Sequence, residues 1–256
     1  MKKTLKNRDV YTLPEDEKSV TLTVEKEAEV WIQEFFAQAK AGFERKINVR
    51  LEPGARVKWM TYRPSKDEKN FTLEEGAQLE YFHHVLGDSE DQVKVLLEGD
   101  ESSVLSQTIF FGSKSEKQTL SVNHVHIGKN TRSQMISRGA VKDTAYSHFY
   151  GNILMMPGCS GADGTLEEHF LLLSSGSKIE AVPALEIHHD EVQASHSATL
   201  ERVDEEKLFY LESRGLEAKE GLELLVEGFF WDALQKCPNL AFSEQIFKDI
   251  LKCLSK

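Results

Sequence analysis

Three cysteines, nine histidines and scattered pairs of carboxylates are the residues of this 256-residue chain that could do chemistry. Thiolate, imidazole and carboxylate are the side chains that hold transition metals, and the thiolate is the softest of them. Cys159 is the best-placed thiol. It sits in GCSGADG (158–164), a loop where a cysteine can be exposed and can move, although free cysteine also serves as a small buried hydrophobe. Cys237 precedes Pro238 at a helix end and Cys253 falls in a final helix, so both read as packing residues. No CxxC or similar spacing occurs, and a self-contained four-thiolate site is not supported. His196, set among Ala194, Ser195 and Ala198, is either a ligand or a hydrogen-bonded core residue. Glu186 needs a partner if its strand is enclosed. Glu167, Glu168 and His169 are either oxygen and nitrogen ligands or a surface charge cluster. The run His188-His189-Asp190-Glu191 suggests a metal, but neighbours on a strand point to opposite faces, so a solvated corner fits better.

Other chemistry is poorly represented. No nucleophile stands beside a general base. The 158–164 loop lacks the Lys-Ser/Thr ending of a phosphate cradle and no helix pattern comes after it, so no nucleotide is expected on this chain. Thirty-one basic against 42 acidic residues give a net charge of −11, which argues against nucleic acid or an anionic membrane as partner. No stretch resembles a transmembrane span, and the basic start lacks the apolar run of a signal peptide. With three cysteines and no disulfide framework, a cytoplasmic location is expected.

The elements that must position these residues fall into two regions. From Ser19 the chain reads as strand after strand, with a weak echo. The segments around Ala28, Ala55 and Ala77 share the order apolar, charge, turn, alanine, polar, apolar, with the alanines 27 and 22 residues apart. Short strands repeating at this period suggest a solenoid in which each coil buries its face on the next; sandwich hairpins repeat nearer ten residues. From Asp204 the period becomes helical, with Asp204 as N-cap and Gly215 as stop. A second helix carries Leu222, Leu225, Val226 and Phe229 on one face, and a last one from about Ser243 carries Ile246, Phe247, Ile250, Leu251 and Leu254. The expected division is an N-terminal arm over 1–18, a β core over 19–203 and a C-terminal helical region over 204–256.

One stretch holds many specified positions at fixed spacing: Pro183, Leu185-Glu186-Ile187, Val192, Ser195-His196, Ala198-Thr199, Asp204, Leu208-Phe209-Tyr210, Arg214-Gly215, Leu225 and Gly228-Phe229. It resembles the end of the SufB/SufD proteins of iron–sulfur cluster assembly, and Gly151, Met156-Pro157 and Leu171-Leu172-Leu173 are similar too. The resemblance implies a mainly β fold, a right-handed parallel β-helix with a C-terminal helical tail. It implies that His196 contributes to an assembly site and that Glu186 occupies a family position. Ser177, Glu180 and Ser197 stand where SufB-like chains carry a cysteine, a histidine and an acidic residue, so the chain looks nearer to SufD or to a short relative that works as a homodimer.

The same resemblance implies a non-enzymatic scaffold. It would pair with itself or with a SufB-like chain, and hold a transient iron–sulfur cluster at the interface for downstream acceptor proteins. The candidate ligands are His196 and Cys159, with Glu186 and Glu168. The ATPase activity would belong to a SufC-like ABC-type partner bound by the tail. Its patch would be Leu208, Phe209, Tyr210, Arg214, Gly215, Leu225, Gly228 and Phe229, on a helix pair that would also cap the end of the β-helix. The alternatives are a secreted-type β-helix carbohydrate-active enzyme, with Asp190 and Glu191 as acid and base, or a purely structural oligomer.

Overall fold

The computed structural model describes residues 1–7, 10–14, 16–35, 44–62 and 66–255. Parts of the expected arm (8, 9, 15) and of the expected β core (36–43, 63–65) lie outside the described residues.

Alternation turns one face of each strand inward, as in Val20, Leu22 and Val24 or Val93, Val95 and Leu97. A single coil cannot bury that face alone, so the coils stack. Odd-numbered strands form one eight-stranded sheet: β1 (Lys2–Leu5), β3 (Ser19–Val24), β5 (Arg45–Leu51), β7 (Asp67–Leu73), β9 (Ser89–Leu97), β11 (Lys117–His126), β13 (Tyr146–Met155) and β15 (Lys178–Ile187). Even-numbered strands form the other: β2 (Val10–Thr12), β4 (Glu29–Phe35), β6 (Arg56–Tyr62), β8 (Gln78–Leu86), β10 (Ser103–Gly112), β12 (Arg132–Val141), β14 (Asp163–Leu172) and β16 (Gln193–Arg202). Each strand pairs in parallel with the strand two places along the chain. The expected parallel β-solenoid is observed.

The three echoing alanines do occupy one corner. Arg56 N donates to Ala28 O at 2.8 Å, Gln78 N to Ala55 O at 2.8 Å and Ser103 N to Ala77 O at 2.9 Å. The residue before each corner is left-handed in coil after coil: Glu27, Gly54, Gly76, Glu101, Asn130 and Gly161, with φ between 54° and 76°. Glycine reaches that conformation without steric cost, whereas Glu27 and Glu101 hold it against their own Cβ. The strands lengthen along the chain, from four and three residues in β1 and β2 to ten in each of β10 to β16. The solenoid therefore widens from its first coil and keeps a constant width from β10 onward.

The polar start, expected as a separate arm, is part of the solenoid where it is described. β1 pairs with β3, β2 pairs with β4, and Leu5 and Leu13 are buried in the core, so these residues form the first coil. Apolar anchors at Leu5 and Leu13 outweigh the polar composition around them.

Three helices complete the described chain: α1 (Glu205–Ser213), α2 (Ala218–Lys236) and α3 (Leu240–Leu254). Asp204 caps α1 by accepting from Glu206 N and Lys207 N, and Gly215 (φ 96°) ends it with the paired bonds Gly215 N to Glu212 O and Leu216 N to Leu211 O. The tail does not cap the end of the solenoid. α2 and α3 lie on the outer face of the even sheet, where Met60, Phe82, Ile109, Phe111 and Ala140 pack against Val226, Phe230, Phe242, Ile246 and Ile250. Strands buried on both faces read as apolar runs, and Ile109-Phe110-Phe111 is such a run. That patch must be covered, and the tail covers it.

Candidate functional site

The last coil, β15 and β16, is where the resemblance concentrates, and it is structurally unfinished. Register places His196 on Leu166, Ala198 on Glu168 and Leu200 on Phe170. All three residues beneath are buried, while all three in the last coil are exposed. Ala194, two residues before His196 on the same strand face, packs on the core, so His196 faces the solenoid interior and is bared only by the missing next coil. An open groove of about 500 Å³ runs between the two final strands, lined by Ile179, Ala181, Val182, Pro183, Ala198, Thr199 and Leu200. Val182 and Leu200 are 42% and 49% exposed, too much apolar surface for a sheet end left in water.

The four expected ligands are not brought together. Cys159 is a fully buried member of the apolar core rather than a mobile loop thiol, and burial pushes its thiol up. Its loop is tight: Ala162 N donates to Cys159 O at 3.0 Å, which turns the side chain under the corner. Glu186 points out of the odd sheet and accepts from Asn152 Nδ2 at 2.8 Å. Glu168, expected on a surface cluster or among ligands, is instead completely enclosed in the lumen, one coil below the opening. Its neighbour His169 faces outward, with Nδ1 2.9 Å from Thr199 Oγ1. Among the described residues no three His, Cys, Asp or Glu side chains gather as a metal site. His188 to Glu191 form the solvated corner, held by Ser160 Oγ donating to Glu191 at 2.7 Å.

Sequence reasoning missed a polar interior. Glu34, Arg45, Asp67, Lys69, His83 and Asp91 are all buried inside the coils. Arg45 donates to Glu34 at 2.6 Å and to Asp67, Lys69 donates to Asp67 at 2.8 Å, and His83 lies 3.2 Å from Asp91. Their signal was present: Asp67 and Lys69 continue the inward alternation of Phe71 and Leu73, as Ser89 and Asp91 continue that of Val93 and Val95.

Glu168 carries a sharper consequence. Its two carboxyl oxygens have no protein partner among the described residues, and burial pushes its pKa up to about 7. Gly151 on the facing strand leaves room for the carboxyl that any side chain there would fill. An acid whose folded pKa lies above its unfolded value costs stability as pH rises from the ordinary carboxylate range through the folded value. Glu168→Gln should therefore unfold in denaturant much as the parent does at pH 4 and be more stable at pH 8, by about 3 kcal/mol. Equal stability at both pH values would contradict a buried carboxyl that no protein group answers.

The expected partner patch divides into two. Phe209 and Tyr210 on α1 are 70% and 55% exposed, Arg214 stacks its guanidinium over Tyr210, and no residue of α1 is buried. Leu208 instead packs on Gly221 and joins α1 to α2, while Leu225 and Phe229 are partly covered and Gly228 is exposed. Leu224 and Trp231 on α2, absent from the expected patch, are 49% and 52% exposed and extend it. No helix among the described residues is long and apolar enough to cross a membrane.

Over residues 15–229 the sequence matches the family described as SUF system FeS cluster assembly, SufBD core domain. It is 30% identical over 160 residues to the iron-sulfur cluster assembly protein SufD of Bacillus subtilis, covering 62% of this chain and 37% of that protein. It is 25% identical over 201 residues to an iron-sulfur cluster assembly SufBD family protein of Mycobacterium leprae, covering 75% of this chain and 23% of that one. A SufBD family protein of Staphylococcus saprophyticus is 31% identical over 141 residues, 55% of this chain and 30% of its own. The matched stretch is thus between about a quarter and somewhat over a third of these relatives' length. With a parallel solenoid, a helical tail and a family match over most of its length, the chain belongs to the SufBD core family of the SUF iron–sulfur cluster assembly system.

Proposed function

We propose that this chain is a scaffold component of iron–sulfur cluster assembly whose last coil docks on a second SufB/SufD-type chain, either another copy or a SufB-like protein. One observation carries the reading: His196, Ala198 and Leu200 are exposed at positions whose counterparts one coil below are fully buried. β15 and β16 also end their sheets, so ten residues of each present an unpaired edge. Docking would hide both the edge and the apolar groove, and would enclose His196. The imidazole of His196 then supplies one donor to iron or a nascent cluster, and the second chain supplies the rest. A cargo held by few donors from each side is released more readily than one held by four thiolates. Cys159 and Glu168 have no part in this ligation, and Glu186 meets it only if the second chain reaches around the odd sheet. A cytoplasmic setting, with its three thiols free, fits this role. The family match favours assembly over the carbohydrate-active alternative.

Leu200→Asp should convert a dimer into a monomer by light scattering at micromolar concentration, with unchanged circular dichroism. A parent protein that is already monomeric, with no SufB-like chain to pair with, would sink the docking reading. In the paired protein, His196→Ala should lower the iron retained after anaerobic reconstitution, and Cys159→Ser should not.

The exposed α1–α2 hairpin is the surface on which a SufC-like ABC-type ATPase would sit, through Phe209, Tyr210, Leu224 and Trp231. Aromatic residues standing clear of their own fold are characteristic anchors of such contacts. Phe209→Ala together with Tyr210→Ala should abolish co-purification with that ATPase while leaving folding intact, because neither side chain is buried. Retained binding would move the ATPase site elsewhere.

A further inference from the structure

Among the described residues Glu168 is the one buried carboxyl without a protein partner. Glu34 and Asp67 accept from Arg45, and Asp91 accepts from Ser89 Oγ at 2.8 Å, whereas neither oxygen of Glu168 is bonded. The carboxyl lies towards the odd sheet, where a Cβ on Gly151 would collide with it. Leu166 and Phe170 flank it on the same face of β14, and one coil below is Ser137, whose hydroxyl is also unbonded. None of these gives it a hydrogen. A buried acceptor left in that state costs free energy that a donor arriving from the remaining side recovers.

That side is the last coil. Ala198 sits above Glu168 and Pro183 above Gly151, and both line the open groove between the final strands. Neither side chain carries a donor, nor do Ile179, Ala181 or Leu185 on the inward face of β15. On the inward face of β16 the donors are His196 and Arg202. Arg202 is four residues from Ala198, about 13 Å along the strand, too far for its side chain to meet that of Glu168. His196 is two residues from Ala198, which sets its Cβ about 7–8 Å from that of Glu168, diagonally across the β14–β16 pair. A glutamate, an imidazole and one hydrogen bond together span that gap. Between them stands only the methyl group of Ala198.

We infer that Glu168 is the positioning residue for His196: when the last coil is enclosed, the two side chains meet past Ala198 and one ring N–H donates to the carboxyl. The inference rests on the proposed docking, because in the open coil His196 is exposed and water answers it. Once enclosed, the neutral imidazole carries its proton on the nitrogen facing Glu168, and the lone pair of the other nitrogen is left for iron. A carboxylate behind a metal-binding imidazole fixes its tautomer and orientation and raises its basicity. Glu168 is not itself a ligand. It prepares the one that this chain supplies.

The test uses the full chain, with light scattering on every sample to establish pairing. In the paired, iron-free protein, nitrogen NMR of the His196 ring should show a single tautomer in the parent. Glu168→Leu, which keeps the bulk and removes the acceptor, should show a mixture of both. Ferrous iron added anaerobically should bind about ten- to a hundredfold more weakly to Glu168→Leu than to the parent. Glu168→Gln, whose amide oxygen still accepts, should fall between them, and it is read alone if the leucine variant does not fold. On a His196→Ala background Glu168→Leu should cause no further loss, whereas a change acting only through the fold would add its own. A paired protein with the same His196 tautomer and iron affinity in the parent and in Glu168→Leu overturns the inference and leaves the docking reading standing. A parent that stays monomeric, with no SufB-like chain to pair with, overturns the docking reading and this contact with it.

Discussion

Arg45→Met should cost about 3–5 kcal/mol of unfolding free energy at neutral pH, because it strips a buried cation from carboxylates that cannot reach water. Arg45 is bonded to Glu34 and, through Nε at 3.0 Å, to Asp67, and the surrounding side chains exclude solvent. Lys69 would remain, 2.8 Å from Asp67 and 3.8 Å from Glu34, leaving one ammonium to balance what two cations balanced before. The pH dependence comes from Asp67. Burial raises its pKa, but Lys69 and Arg45 together outweigh burial and hold it at about 2. A carboxyl depressed below its unfolded value stabilises the fold above the ordinary carboxylate range, and that contribution is lost as pH falls towards 2. Acid unfolding of Arg45→Met should therefore begin at higher pH than in the parent. A loss below about 1 kcal/mol, the range of an exposed pair, would mean that water reaches the cluster.

Phe230→Ala should cost about 3–5 kcal/mol as well, by a different route. Phe230 is fully buried between α2 and the even sheet, in the cluster that includes Ile109 and Phe111. Around it, Gln107 Nε2 donates to Ala233 O at 2.7 Å and Arg138 donates to Phe229 O at 2.9 Å, so the helix cannot settle into the cavity without breaking those bonds. Chemical denaturation would read the loss directly. Stability within about 1 kcal/mol of the parent would mean that the tail contributes little beyond shielding. Deleting the whole tail is a poorer experiment, since Met60, Phe82, Ile109 and Phe111 would then face water.

The solenoid was legible because its corner is local. Ala28, Ala55 and Ala77 fall in one backbone ladder, and the turn residues before them show in the sequence. The period itself was faint because strand length changes from coil to coil. The helix ends were legible for the same local reason, Asp204 and Gly215 each acting within a few residues of their own position. What the sequence hid was non-local. Nothing in Lys2 to Leu5 shows that these residues pair with β3, and nothing local shows that α2 lies on a sheet face rather than over the solenoid end. Cys159 looked mobile because glycines flank its loop, yet the corner ladder folds its side chain into the core. Glu168 looked like surface charge because Glu167 and His169 beside it point outward. His196 was found through the family pattern, and its exposure depends on which strand comes last in its sheet.

A stack whose coils touch only their neighbours can ordinarily peel from one end, a coil at a time, each step reversible and cheap. Here the chain that leaves the last coil turns back along the stack. Asp249 is bonded to Tyr62, Leu254 O accepts from Lys142 and Ala233 O from Gln107, across 187, 112 and 126 residues of sequence. Those bonds tie the chain's end to β6, β10 and the turn after β12, so opening the stack at its middle coils requires tearing the tail away as well. Over the coils that the tail spans, gradual unzipping becomes one cooperative event. The same links join residues far apart in sequence and must close late in folding, so a slow final step is built into the architecture that makes the finished stack hard to open.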